Sequence, residues 1–337
     1  MQIRAFALAS IALASFAAFT GQEVSYADSA EKFAAAELPL TLTSFGAARL
    51  GDKVYVYGGH TGEAHSYSND QQSNQLLSLD LSHPDQPWKV ESESDRLQGL
   101  ALIAYQGKVI RVGGFSALNA AGEKHVLKST AEVAAYDVAS GKWEELPALP
   151  EPRSSHDAIL VGSKIYVVGG WQLDGGSSDS KWGDKAFVID LAASNPQWSE
   201  IAAPPFKRRA LSLAQLGDSI IAVGGMEANQ EITRHTTIYS PAENAWHEGP
   251  ELVGDGHMMG FGTAAIAVDG ATLVSAIDGS LQELKVGADQ WTPCGKTEDA
   301  RFFHELISLD AHHVLVLGGA NMGEHRKFQN IEVINLP

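Results

Sequence analysis

One phrase recurs along this chain: an apolar, β-branched run that ends in two glycines. The pairs begin at Gly58, Gly113, Gly169, Gly224 and Gly318, and a degenerate Asp278-Gly279 stands where a fifth of six would fall, giving offsets of 55, 56, 55, 54 and 40 residues. A period near 50 built on β-rich phrases points to a repeat array, and a propeller is the first architecture to consider. The runs, "KVYVYGG", "KVIRVGG", "KIYVVGG", "SIIAVGG" and "HVLVLGG", are apolar on both faces and suit strands packed inside stacked sheets.

A short turn ("LGDK", "YQGK", "VGSK", "LGDS") precedes each run, with another apolar strand before it. After it come a polar loop, a third strand such as "VAAYDVA" or "AFVIDLA", and a turn into Trp88, Trp143, Trp198, Trp246 or Trp291. Four antiparallel strands, a to d in chain order, make one blade. The tandem glycines, the "YD" or "ID" of strand c, the strand-d tryptophan and the following "LPALPEPRSSH" resemble kelch repeats over nearly the whole chain after its first segment. The resemblance implies an all-β, six-bladed propeller over residues 28–337. After Gly318-Gly319 only strand c, "QNIEVINLP", fits before the last residue, and "AAAELPLTLT" resembles "WEELPALP". Residues near 33 to 39 are therefore expected to supply strand d of the sixth blade, removing the open edge.

The first segment has the three-part form of a secretory signal: Arg4, an apolar run from Ala5 to Phe19, and Ser25-Tyr26-Ala27 as a small-x-small cleavage triplet. Residues 1–27 are expected to be removed and the product exported, to a periplasm or the medium, with no membrane span left after cleavage. Forty-one acidic against 24 basic residues give a formal charge of -17. That balance argues against a nucleic-acid partner, which needs a basic face, and suits a soluble monomer. Cys294 is the single cysteine, so no intramolecular disulfide forms; it reads as a half-buried strand residue.

In an antiparallel blade the d-to-a connectors and the b-to-c loops share one face, where long loops on a rigid frame carry binding residues. The connectors bring Arg96, Arg153, Arg208, Arg209 and Arg301 there, with His156, His257 and His304 close by. Their guanidinium forks suit a carboxylate, while pairing with Glu151, Asp157 and Asp299 is the competing use. Trp171, Trp182, Phe115 and Phe302 add apolar contact. The short turn of blade five beside the glycine-rich "GDGHMMGFG" places an expected entrance over blades four to six. Twelve histidines without a compact ligand spacing give no metal site, and no cofactor is expected. No nucleophile elbow, Walker loop or dinucleotide fingerprint occurs.

Two functions remain open from these residues. One is a binding module whose arginine-rich mouth holds an anionic small molecule, a charged glycan or an acidic peptide. The other follows from an outline similarity to the periplasmic sialic-acid mutarotases, which implies a glutamate and a following arginine in a b-to-c loop. In "MEANQEITRH" these fall at Glu227, for proton transfer at the anomeric oxygen, and Arg234, for the carboxylate, with Glu231 competing for the acid's role.

Overall fold

The computed structural model describes residues 35–176 and 180–336; the leader-like residues 1–27 lie outside them. Ala34–Pro337 clusters as one compact unit. Apart from a single 3-10 turn at Asn69–Gln71, the described elements are strands. Blade one has strands a to d at Gly46–Leu50, Lys53–Tyr57, Gln75–Asp80 and Lys89–Glu93. Blade two uses Ala101–Tyr105, Lys108–Val112, Val133–Asp137 and Lys142–Leu146. Blade three uses Ser154–Val161, Lys164–Gln172, Ala186–Asp190 and Ser199–Ile201. Blade four follows with Ser212–Leu216, Ser219–Val223, Thr236–Ser240 and Ala245–Glu248, and blade five with Ala264–Val268, Ala271–Ser275, Ser280–Lys285 and Thr292–Lys296. Blade six carries Phe302–Ser308, His313–Asn321 and Glu332–Asn335, its a, b and c strands.

Neighbouring a strands touch from blade one through blade six and back to blade one, so the array is a closed six-bladed β-propeller around a central channel. Apolar clusters fill the seams between blades. Ile110 and Val112 of blade two meet Ile165 and Val167 of blade three, and Ile221 and Val223 of blade four meet Val274 and Leu284 of blade five.

The glycine pairs hold these seams. The first glycine faces the next blade: a Cβ on Gly113 would lie 2.5 Å from Arg153 O and 2.8 Å from the His156 ring. The second faces its own blade: a Cβ on Gly114 would lie 3.0 Å from Leu100 Cβ, and its N–H donates to Arg153 O at 2.8 Å. Both have positive φ, +60° and +105°, so a side chain is excluded by conformation and by space. Leu100 against Gly58, His156 against Gly113 and Leu211 against Gly169 fill one packing role in three successive seams.

Two readings are corrected in detail. In blade five, Ala264 pairs with Ser275, so the glycine-pair register falls on Ala276-Ile277; Asp278-Gly279 is the turn that follows, closed by Gly279 N donating to Ala276 O at 2.9 Å. The expected outer strand at 33 to 39 is not formed by residues 35–39, which run as irregular chain, and residues 33 and 34 lie outside the described region. The reason is local: this stretch serves as the connector between the sixth blade and the first. Leu38 N donates to Gln329 O at 2.8 Å and Gly319 N to Leu42 O at 2.8 Å, the same bond that Gly114 makes to Arg153 O. The Trp88 indole donates to Ala36 O at 3.0 Å, as Trp198 does to Pro147 O and Trp246 to Ala202 O, both at 2.7 Å.

Candidate functional site

Six residues, one from each blade, enter the channel mouth with left-handed φ: Ser44, Gly99, Ser155, Ala210, Gly262 and Phe303. Each N–H donates to the carbonyl of the one before it, Gly99 to Ser44 at 2.7 Å and Ser155 to Gly99 at 2.8 Å, round to Ser44 N on Phe303 O at 3.3 Å. The result is a closed hoop of six backbone hydrogen bonds. Its four members other than glycine pay a strain of order 1 kcal/mol at such φ values unless the site over-determines them; here both neighbours of every link do so.

Above and inside the hoop lies a cavity of about 250 Å³. Tyr67 from the blade-one loop, Phe115 from blade two, Trp171 and Leu173 from blade three and Phe303 from blade six form its apolar walls, and Arg209 from blade four supplies a cation. Tyr67 is held by Asn119 Nδ2, which donates to its carbonyl at 2.7 Å, and by edge contact with Phe115 and His125. Burial pushes its hydroxyl up while the charge of Arg209 pulls it down, which places the two groups in electrostatic reach across the mouth. The tall walls belong to blades one to three; blade five contributes Gly262 to Ala265.

The structure separates the candidate arginines. Arg153, Arg208 and Arg301 turn away from the channel into their own blades and are buried. Arg153 Nη1 donates to Gly169 O at 3.1 Å and Lys185 O at 2.6 Å, Nη2 binds Glu151 at 3.1 Å, and the guanidinium lies over Phe187. Arg301 repeats this on Gly318 O and Asn330 O, both at 3.1 Å, stacked 4.2 Å over Phe328. Arg208 donates to His235 O at 3.2 Å over Phe206, and Arg96 binds Gln72 O. These guanidiniums brace the start of strand c against the end of strand b. Arg209, next along an extended segment, points the opposite way. It stacks 4.3 Å over Trp171 and 5.7 Å from Trp182, and among the described residues no carboxylate pairs with it.

His156 and His304 line the mouth as packing residues against the glycine seams, 6 % and 2 % exposed. Burial, with Arg153 and Arg301 beside them, lowers both to about 3, so they are neutral. His257 is exposed on the 254–262 segment and is absent from the cavity wall. Phe302 stacks on Phe261 outside the mouth while its neighbour Phe303 lines it. Glu227 and Arg234 are not brought together: Glu227 faces Arg208 Nε at 3.5 Å in a rim cleft, and Arg234 binds Glu251 at 3.1 Å and the carbonyls of Leu252 and Gly254. Among the described residues no three His, Cys, Asp or Glu side chains are placed to hold a metal ion. Cys294 is half-buried on strand d of blade five, its thiol pushed up to about 11 by burial.

Sequence reasoning missed the channel floor. Two residues below the hoop, Asp157 and Glu305 project from blades three and six, which stand opposite each other in the ring. The signal was one residue beyond the repeated "RSSH" and "RFFH": each is followed by an acid. Burial raises Asp157 to about 7 although Ala158 N and Leu213 N donate to it at 2.7 and 2.6 Å. Glu305 is raised well above its ordinary value by burial and then by Asp157.

Residues 47–276 match the family described as "KLHDC2/KLHL20/DRC7 Kelch-repeats domain". Kelch-like protein 35 of Mus musculus is 26% identical over 63% of this chain and 31% of its own length. Adagio-like protein 1 of Oryza sativa subsp. japonica is 24% identical over 85% of this chain and 40% of its own length. The chain thus spans about a third of the length of the curated relatives it matches. The solved structure of YjhT superposes with a TM-score of 0.69 at 13% identity, covering 89% of this chain and 99% of that one, a likeness of fold.

Proposed function

The chain belongs to the kelch-repeat family, and from that premise we propose that it is a ligand-binding module whose hooped mouth takes an anionic group on Arg209. The carrying observation is a set of donors without acceptors around one cavity. Arg209 Nε, Trp171 Nε1 and Gln98 Nε2 are buried, line the mouth, and have no hydrogen-bond partner among the described residues. Leaving such a donor unsatisfied costs about 1–3 kcal/mol each, so the arrangement is complete only with an acceptor-rich guest. A carboxylate flanked by the aromatic walls fits that description, as in an acidic sugar or the acidic end of a peptide. The leader-like first 27 residues extend the reading to an exported, monomeric module.

Arg209→Gln is expected to weaken binding of a carboxylate guest by about 10- to 100-fold, the worth of one charge-assisted contact. Calorimetric titration with N-acetylneuraminate and with a hexapeptide ending in Asp-Glu separates the two ligand classes. Unchanged affinity for whichever probe binds the wild type would reject the mouth as the anion site.

A second reading, proton transfer at a sugar's anomeric oxygen, is favoured by one observation: Asp157, held near neutrality, lines the mouth. That moves the acid–base group from Glu227 to the channel floor. NMR line exchange between anomers of an acidic sugar, unaffected by Glu305→Gln and Asp157→Asn, would dismiss it.

A further inference from the structure

Arg208 and Arg209 meet unlike partners across one short ladder. The segment Arg208–Arg209 pairs antiparallel with Met226–Glu227, in the register Arg208 to Glu227 and Arg209 to Met226. Side chains directly opposite each other on such a pair share a face. One face therefore holds an ion pair, Arg208 Nε to Glu227 at 3.5 Å. The other holds a cation and a thioether: Arg209 Nη2 donates to Met226 Sδ at 3.0 Å. Among the described residues this sulfur is the one hydrogen-bond acceptor of the Arg209 guanidinium.

A thioether is a weak acceptor, so it steadies the guanidinium without competing for it. The sulfur itself is firmly placed. Met226 is bridged on its other side to Ile232, and the turn between them is closed by Glu227 N donating to Glu231 O and Gln230 N to Glu227 O, both at 2.8 Å. Met226 is half-buried, while Ala228, Asn229, Gln230 and Glu231 just after it are exposed. The sulfur thus stands at the edge of a solvated turn, whereas Met259 is 4 % exposed.

We propose that Met226 is an oxidation site that tunes the grip of Arg209 on its guest, the oxidant being a hydroperoxide. A sulfur lone pair attacks the terminal peroxide oxygen, and the S–O bond forms as the O–O bond breaks. Sulfur gives up two electrons to the peroxide. The proton of the attacked oxygen passes to the leaving oxygen, which departs as water or an alcohol. The product is methionine sulfoxide, which sulfoxide reductases return to the thioether. Its oxygen is a polar acceptor standing where a weak one stood. It takes N–H groups that the guest's carboxylate would use and draws the guanidinium off the Trp171 ring, now 4.3 Å beneath it. The charge of Arg209 survives, so affinity falls without vanishing.

The inference rests on Arg209 being the anion receptor, and two independent readouts part the two claims. The full chain carrying Cys294→Ser, which removes the single thiol, is treated with hydrogen peroxide. Peptide mass mapping follows oxygen addition at Met226 against Met322, which is 47% exposed. Calorimetry with N-acetylneuraminate and with the hexapeptide ending in Asp-Glu is expected to show binding weakened about tenfold by oxidation. Met226→Gln, which sets an amide oxygen at the same place, is expected to bind as weakly without treatment, and Met226→Leu to give one affinity before and after peroxide. The NMR resonance of the Arg209 Nε–H, identified by its loss in Arg209→Gln, is expected to shift on oxidation when Met226 is present and to stay put in Met226→Leu. Thermal midpoints confirm that each variant is folded. Met226 left intact in chains whose Met322 is fully oxidised, an Arg209 resonance unmoved by sulfoxide, or an unchanged affinity for a probe that binds would each overturn the proposal. Should neither probe bind the untreated chain, the anion reading of the mouth falls, and the Arg209 resonance alone still decides whether the sulfoxide holds this guanidinium.

Discussion

Replacing Arg301 by methionine is expected to lower the folding free energy by about 3–5 kcal/mol, the usual loss when one member of a buried ionic network is removed. Methionine preserves much of the contact with Phe328 but strands the carbonyls of Gly318 and Asn330 and removes the cation between Glu332 and Asp299, at 3.8 and 3.7 Å. Burial already raises the Glu332 carboxyl, and the Glu298 N–H, then Arg301, pull it back. Urea unfolding should show an earlier midpoint at an unchanged slope. Arg301→Lys is expected to recover less than half of the loss, since one ammonium cannot serve two carbonyls in a plane and stack on a ring. The exposed-side comparison, Arg234→Met, should stay within about 0.5 kcal/mol. A midpoint unmoved by Arg301→Met would mean that this guanidinium is no brace and would return it to the mouth as a binding group.

Acid unfolding provides the second large effect. His156 and His304 have folded values near 3, far below an ordinary histidine at 6.5. Between those two pH values the unfolded chain binds protons that the folded chain refuses, so stability falls as the pH drops from about 6.5 toward 3 and the effect is absent above 6.5. At pH 4 each histidine accounts for a loss of about 3 kcal/mol. Leucine already fills the same packing position in two other blades, as Leu100 against Gly58 and Leu211 against Gly169. His156→Leu is therefore expected to fold, to match wild type at pH 7 within about 1 kcal/mol, and to shift the acid midpoint downward; the double variant with His304→Leu should shift it further. The channel carboxyls act with the opposite sign, since a raised carboxyl binds a proton in the folded state first. Asp157 accordingly makes the protein less stable as pH rises from about 4 to about 7. An acid midpoint insensitive to His156→Leu would show that this imidazole is hydrated in the folded state.

The propeller was legible because glycine pairs are hard to place anywhere but a seam of this kind, and because a tryptophan follows strand c in five of the six units. Blade five misled because its seam uses Ala276-Ile277, which leaves no mark in a run of apolar residues, while Asp278-Gly279 nearby imitates one. The arginines misled for a related reason. A connector running across the top face can aim side chains inward to its own blade or toward the axis, and only the strand registers decide; Arg208 and Arg209 are neighbours in sequence and opposite in use. Asp157 and Glu305 were hidden inside the repeat itself. An acid after an Arg-x-x-His phrase reads as the arginine's local partner, and only the strand register shows that it lines the channel instead.

The hoop sets the bore of the passage with main-chain atoms alone. Its gauge is therefore independent of whatever side chains hang above or below, much as a fixed collar accepts interchangeable fittings. Substitutions two residues inward, at Asp157 and Glu305, can rewrite which guests enter without altering the width of the doorway, whereas Gly46 in the same tier is closed to any side chain because a Cβ there would lie 2.9 Å from Leu102 N. A designer seeking a new receptor could leave the collar untouched and vary that single tier.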